Sequence, residues 1–136
     1  MVVKFKEAVI DCDQAIRLDA SNAKLHFRKA TALKGLGKIE DAIISLNDGL
    51  LLDATSAVAL KDRDALVTAK RKLEGVKDLL LCKNYRSALV HLDGLVKDLG
   101  SQNREFNLMR VEALLGGGRL EEALNLTNIM VSFLYT

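Results

Sequence analysis

Apolar residues recur every three or four positions along most of the chain, with charged and polar residues between them. That spacing marks one buried face of an α-helix. No stretch alternates residue by residue as a half-buried strand does. Short polar or glycine-bearing segments interrupt the pattern: Asp19-Ala-Ser-Asn22, Gly35 with Gly37, Asp53-Ala-Thr-Ser56, Gly100-Ser-Gln-Asn103 and glycines 116–118. The first, third and fourth end in Ser or Asn, the residues that cap a helix start. The two glycine segments suit the left-handed backbone that ends a helix. The prediction is helix throughout, joined by short turns. Helices should start near Lys4, Ala23, Lys38, Ser56, Asn84, Ser101 and Arg119.

The elements repeat. A shift of 34 residues lays KFKEAVIDCDQAIRLDASNA on KIEDAIISLNDGLLLDATSA, with Lys4/Lys38, Ala8/Ala42, Ile10/Ile44, Leu18/Leu52, Asp19/Asp53, Ala20/Ala54 and Ala23/Ala57 identical. Asn84-Tyr-Arg-Ser-Ala88 and Gly118-Arg-Leu-Glu-Glu-Ala123 begin two further units of the same kind. Such a period predicts two-helix repeats, A then B, that stack because none buries its apolar face alone. Between Ala42 and Ala88 the spacing grows by about twelve residues, around SAVALKDRDALV. That insertion holds neither Gly nor Pro, so it should lengthen a helix. The repeats are 1–22 (helix B alone), 23–56, 57–100 with the lengthened first helix, and 101–136. The small residues Ala8, Ala30, Ala42, Ala88 and Ala123 are candidates for close helix crossings.

The motif A-x-x-x-L-G-K-x-E-D-A-I…L-x-L-D, from Ala32 to Asp53, resembles the tetratricopeptide repeat (TPR) family. The resemblance covers nearly the whole chain. It implies an all-α, right-handed helical solenoid of about three and a half repeats, used for protein–protein interaction. The family usually has Asp-Pro at the end of helix B. Here it is Asp19-Ala20 and Asp53-Ala54, so those helix ends are expected to be less sharply set. The layout is closest to the TPR region of tandem-TPR J-domain co-chaperones. No His-Pro-Asp and no proline is present, so J-domain activity does not carry over. The chain begins on a helix B and ends on the apolar NIMVSFLYT. This reads as a fragment, a degraded product or a divergent short protein, with open ends that favour self-association.

Composition narrows this little. The chain has 136 residues, is 49% hydrophobic and 28% charged, and carries a net charge of +2. Those are values of a soluble globular domain. Cys12 and Cys82 lie far apart without metal-binding neighbours and read as reduced core thiols of a cytoplasmic protein. No apolar run reaches membrane-spanning length. Asn125-Leu-Thr127 matches a glycosylation sequon by letter, but it lies in mid-helix.

Charge distribution is more telling than net charge. From Lys24 to Lys38 there are five Lys or Arg and no acid. Residues 1–38 hold eight cations against four anions, and the remainder twelve against fourteen. On a helix Lys24 and Arg28 share a face, continued by Thr31, Lys34 and Gly35. A solvated helix face is one reading. The other comes from the resemblance: Lys24-Leu-His-Phe-Arg28-Lys-Ala30 is similar to the third-repeat half of a carboxylate clamp. That implies peptide-binding roles for Lys24, Phe27, Arg28, Thr31 and Lys34, toward the acidic C-terminal tails of heat-shock protein 70 and heat-shock protein 90 families. Lys and the Arg fork suit a terminal carboxylate through charge-assisted hydrogen bonds. The remaining clamp residues would come from preceding repeats, so the clamp is incomplete here.

Other chemistry finds no support. His26 and His91 stand on different repeats, with no Ser-His-Asp or Cys-His pattern beside them. Asp11/Asp13 and Glu121/Glu122 read as solvated faces. Gly35-Leu-Gly37 lacks the third glycine and the strand of a dinucleotide loop. Glycines 116–118 read as a turn rather than a phosphate cradle. The expectation is therefore no enzyme, no cofactor, no metal, no membrane and no nucleic acid. The partner is a protein or peptide, with a homo-oligomer through the terminal helices as a further expectation. A non-chaperone assembly scaffold is the alternative function.

Overall fold

The computed structural model describes residues 2–99 and 103–134. Among these residues seven α-helices follow in order: α1 Val2–Leu18, α2 Ala23–Gly35, α3 Ile39–Leu52, α4 Ala57–Leu81, α5 Tyr85–Leu99, α6 Arg104–Gly116 and α7 Leu120–Leu134. Among the described residues there is no strand, and the all-α, helix–turn–helix expectation holds. The insertion lengthens a helix as predicted: α4 has 25 residues, whereas α2 and α6 have 13 each. Gly100, Ser101 and Gln102, where a turn and a helix start were placed, lie outside the described residues, as do Tyr135 and Thr136.

The helix starts are set by short polar side chains. Asn22 Oδ1 accepts from Lys24 N at 3.1 Å, Ser56 Oγ from Ala59 N at 3.3 Å, and Asn103 Oδ1 from Phe106 N at 3.3 Å. Asn84 Oδ1 accepts from Ser87 N at 3.4 Å and begins α5 in the same way. Each such cap is worth about 1 kcal/mol. At the ends of α1 and α3 the aspartates replace the expected proline stop. Asp53 Oδ1 accepts from both Thr55 N and Thr55 Oγ1, at 3.1 and 2.6 Å, and Ser21 Oγ donates to Asp19 Oδ1 at 3.0 Å. These local bonds compete with continuation of the helix. Both helices end on the residue before the Asp, whose own N–H closes a last helical bond, to Ala15 O and to Gly49 O, each at 2.9 Å.

The two turns predicted from glycine have one hydrogen-bond pattern. Lys38 N donates to Leu33 O and Arg119 N to Leu114 O, at 2.9 and 2.8 Å, across Gly37 (φ 78°) and Gly118 (φ 77°). A third copy of the turn follows α4, where Asn84 N donates to Leu79 O at 2.8 Å. Its left-handed residue is Lys83, φ 59°. Without a glycine to mark it, this turn was not legible as a left-handed one.

The chain forms two compact units, Met1–Lys70 and Arg71–Thr136, divided inside α4. In the first, α2 packs between α1 and α3 over a core that includes Leu33, Ile39, Leu46, Leu50 and Leu66. In the second, α6 packs between α5 and α7 over Val76, Leu92, Leu95 and Phe106, all fully buried, with Ala123. Glycines admit rings at the helix contacts. The Phe5 ring lies where a Gly35 Cβ would be, the Phe27 ring against Gly49, and the Tyr85 ring against Gly116. Of the small residues marked for close crossings, Ala30, Ala42, Ala88 and Ala123 are buried and Ala8 is half-buried. One cysteine departs from expectation. Cys12 is buried, but Cys82 is an exposed free thiol, because it falls in the turn after α4 rather than on that helix's inner face.

Candidate functional site

The basic residues picked out in sequence fall on α2. Lys24, Arg28 and Thr31 are exposed, and Lys34 is half-buried. The helix spacing that brings them together is the one read from sequence. Thr31 Oγ1 donates back to Phe27 O at 3.2 Å, which holds its side chain against the helix. Phe27 is half-buried with its ring against Gly49, so α3 takes much of its apolar surface.

The cations of α2 divide into two kinds. Lys29 reaches across to α1, its Nζ 2.7 Å from Asp13 Oδ1. Lys24, Arg28 and Lys34 have no ion-pair partner among the described residues, and of these Lys24 and Arg28 are exposed. Arg28 does act on α1 at longer range. Burial pushes the Cys12 thiol above its ordinary value, and the positive charges of Arg28 and Lys29 pull against that shift. The aspartates Asp11 and Asp13 of α1 act on Cys12 in the opposite sense, so the exposed cations that α2 leaves without an ion pair are Lys24 and Arg28. Two such donors suit a carboxylate pair.

The ion pair that ties α1 to α2 recurs in the second unit, where Arg110 of α6 takes the place of Lys29 and Asp93 of α5 that of Asp13. Arg110 Nε is buried and lies 3.3 Å from Asp93 Oδ1, close enough for an ion pair but not aligned for a hydrogen bond. Beside it, Arg119 grips Glu122 with Nε at 2.9 Å and Nη2 at 2.5 Å. These four charges, with Leu89, Leu114 and Leu126, line a groove of about 430 Å³ between α5, α6 and α7. A cavity of this size is in the range that holds small ligands. Sequence reasoning missed it, because its walls come from three helices and packing alone brings Asp93 and Arg110 beside the local pair of Arg119 and Glu122. Its two cations are already matched by its two carboxylates, so it presents no net charge to an ionic ligand.

The histidines are separate: His26 is half-buried, and His91 is exposed with Nδ1 2.7 Å from Ser87 O. Among the described residues no group of His, Cys, Asp and Glu is arranged to hold a metal ion. Within them, no helix is long and apolar enough to cross a membrane. Asn125 and Thr127 of the sequon lie within α7, where Thr127 Oγ1 donates to Ala123 O at 2.8 Å.

No protein-family profile matches the chain. It is similar to sperm-associated antigen 1 of Homo sapiens, 38% identical over 81 residues, which is 60% of this chain and 8% of that protein. Sperm-associated antigen 1 of Rattus norvegicus is 33% identical over 61 residues, 45% of the chain and 7% of that protein. The chain thus spans less than a tenth of the length of these relatives.

Proposed function

We propose that the chain is a protein-interaction scaffold of the tetratricopeptide type, in which the exposed face of α2 holds an acidic C-terminal peptide. The two-helix repeat and the similarity to sperm-associated antigen 1 support the scaffold reading. One observation carries the peptide reading: Lys24 and Arg28 stand exposed without an ion pair among the described residues, while neighbouring Lys29 is tied to Asp13. The resemblance to half of a carboxylate clamp makes the tail of a cytoplasmic heat-shock protein 70 or 90 the partner. Lys24 meets one carboxylate as a compact charge, and Arg28 takes the other with its fork. Thr31 and Lys34 extend the same face, and the exposed edge of Phe27 offers the peptide apolar surface.

The test is a fluorescence titration with a labelled peptide ending in Glu-Glu-Val-Asp. Lys24→Ala or Arg28→Ala should each weaken binding about tenfold, the loss of one charge-assisted hydrogen bond. No binding, or binding indifferent to both changes, would sink the proposal. A second reading has its own support. Leu120, Leu124 and Ile129 of α7 are exposed, as suits a scaffold that takes a partner helix or a second copy there. Under that reading Lys24→Ala and Arg28→Ala are silent in a pull-down.

A further inference from the structure

The face of α6 that matches the basic face of α2 has the opposite character. Asn22 and Asn103 cap the two helices, and Gly37 and Gly118 end the turns after them, so positions correspond one to one. Lys24 is replaced by Glu105, Phe27 by Leu108, Arg28 by Met109, Thr31 by Glu112 and Lys34 by Leu115. Leu108 and Leu115 are 51% and 53% exposed. They stand one heptad apart, as do Glu105 and Glu112, so a leucine row and a carboxylate row run side by side along the helix. Half-buried Val111 falls within the leucine row.

The carboxylates are lightly engaged. Glu112 has no ion-pair partner among the described residues, and Glu105 lies 3.8 Å from Lys77 in a solvent-exposed pair. Of the two arginines on α6, Arg110 is turned to Asp93, and exposed Arg104 stands in the first turn, at the N-terminal end of the leucine row, so the carboxylate row of Glu105 and Glu112 lies along one side of it only.

We propose that this face of α6 docks a cationic amphipathic helix of a partner protein. Apolar residues of the incoming helix at three- and four-residue spacing would pack on Leu108, Val111 and Leu115. Its flanking Lys or Arg would lie opposite Glu105 and Glu112, as charges beside a coiled-coil seam do. An acidic tail is repelled here. The α2 of a second copy has the charge but lacks the apolar row, because Phe27 is turned against Gly49 and Lys34 stands where the row would continue. This surface belongs to a different helix from the basic face of α2, and the proposal does not rest on what α2 binds.

The experiment uses the whole chain and two designed helical peptides with the same leucine stripe, one flanked by lysines and one by glutamates. Anisotropy should show binding of the lysine peptide and at least about tenfold weaker binding of the glutamate peptide. Glu105→Lys with Glu112→Lys should weaken the lysine peptide about tenfold or more, and so should Leu108→Ala with Leu115→Ala. All these positions are exposed or half-buried, and circular dichroism confirms that each variant is folded. Equal binding of the two peptides, or binding indifferent to the α6 changes, overturns the proposal. It is also overturned by a dimer in light scattering that the Glu105→Lys, Glu112→Lys variant abolishes, because a second copy is then the occupant.

Discussion

Lys83 occupies a backbone position that the corresponding turns give to glycine. Its φ of 59° costs a residue with a Cβ about 1–2 kcal/mol. Lys83→Gly should therefore raise stability by about 1 kcal/mol in urea unfolding. Gly118→Ala, at φ 77° with open space around it, should lower stability by a similar amount through backbone strain alone. The cysteines separate in the same residue-level way. Exposed Cys82 should react with a thiol reagent at once, and buried Cys12 only as the fold opens. Burial raises the Cys12 thiol, so the neutral form is the one the fold favours. That contribution is complete below the ordinary thiol range and is lost as pH rises through the raised value. A faster second phase of labelling at alkaline pH checks it, and Cys12→Ser removes that phase.

Between elements, the glycines fall into two groups with opposite predictions. Gly75 of α4 and Gly94 of α5 lie in mid-helix, and a Cβ on either would meet nothing within 4 Å. Gly75→Ala and Gly94→Ala should each add about 0.5–1 kcal/mol by restricting the unfolded chain and favouring helix. At Gly35 a Cβ would meet the Phe5 ring at 2.6 Å, and at Gly116 it would meet the Tyr85 ring. Gly35→Ala and Gly116→Ala should lose about 1–3 kcal/mol by forcing the ring out of its seat. Thermal melts of the four variants give the order. The same correspondence of Phe5 with Tyr85 and Gly35 with Gly116 shows one helix contact used twice.

Across the whole molecule, a net charge of +2 hides an uneven distribution. The cations concentrate toward the N-terminal end, and the α6 face bears glutamates. Binding of an acidic peptide to α2 should therefore weaken as salt rises, about tenfold between low and high ionic strength. Glu105→Lys with Glu112→Lys leaves α2 untouched. It takes the net charge from +2 to +6, so the Glu-Glu-Val-Asp titration should tighten at low salt and match that of the unchanged protein at high salt, where the added charge is screened. A titration series in sodium chloride for both proteins measures this.

The all-α class, the 34-residue repeat, the three Asn or Ser caps, the lengthened α4 and the shared face of Lys24 and Arg28 were legible in the sequence. Each depends on residues close together in the chain, where helix spacing and capping chemistry act directly. The left-handed turn at Lys83 was not legible, because the backbone there is imposed by the helices it joins against the residue's own preference. Cys82 was misplaced for a related reason: periodicity marks a helical pattern but not the residue at which the helix stops. The pairing of Lys29 with Asp13, which takes Lys29 out of the basic set of α2, required α1 and α2 to pack. The same holds for the α5–α6–α7 groove and for the turning of Phe27 onto Gly49. These are contacts between distant parts of the chain, and packing alone decides which side chains are taken up by a neighbour and which stay open to a partner.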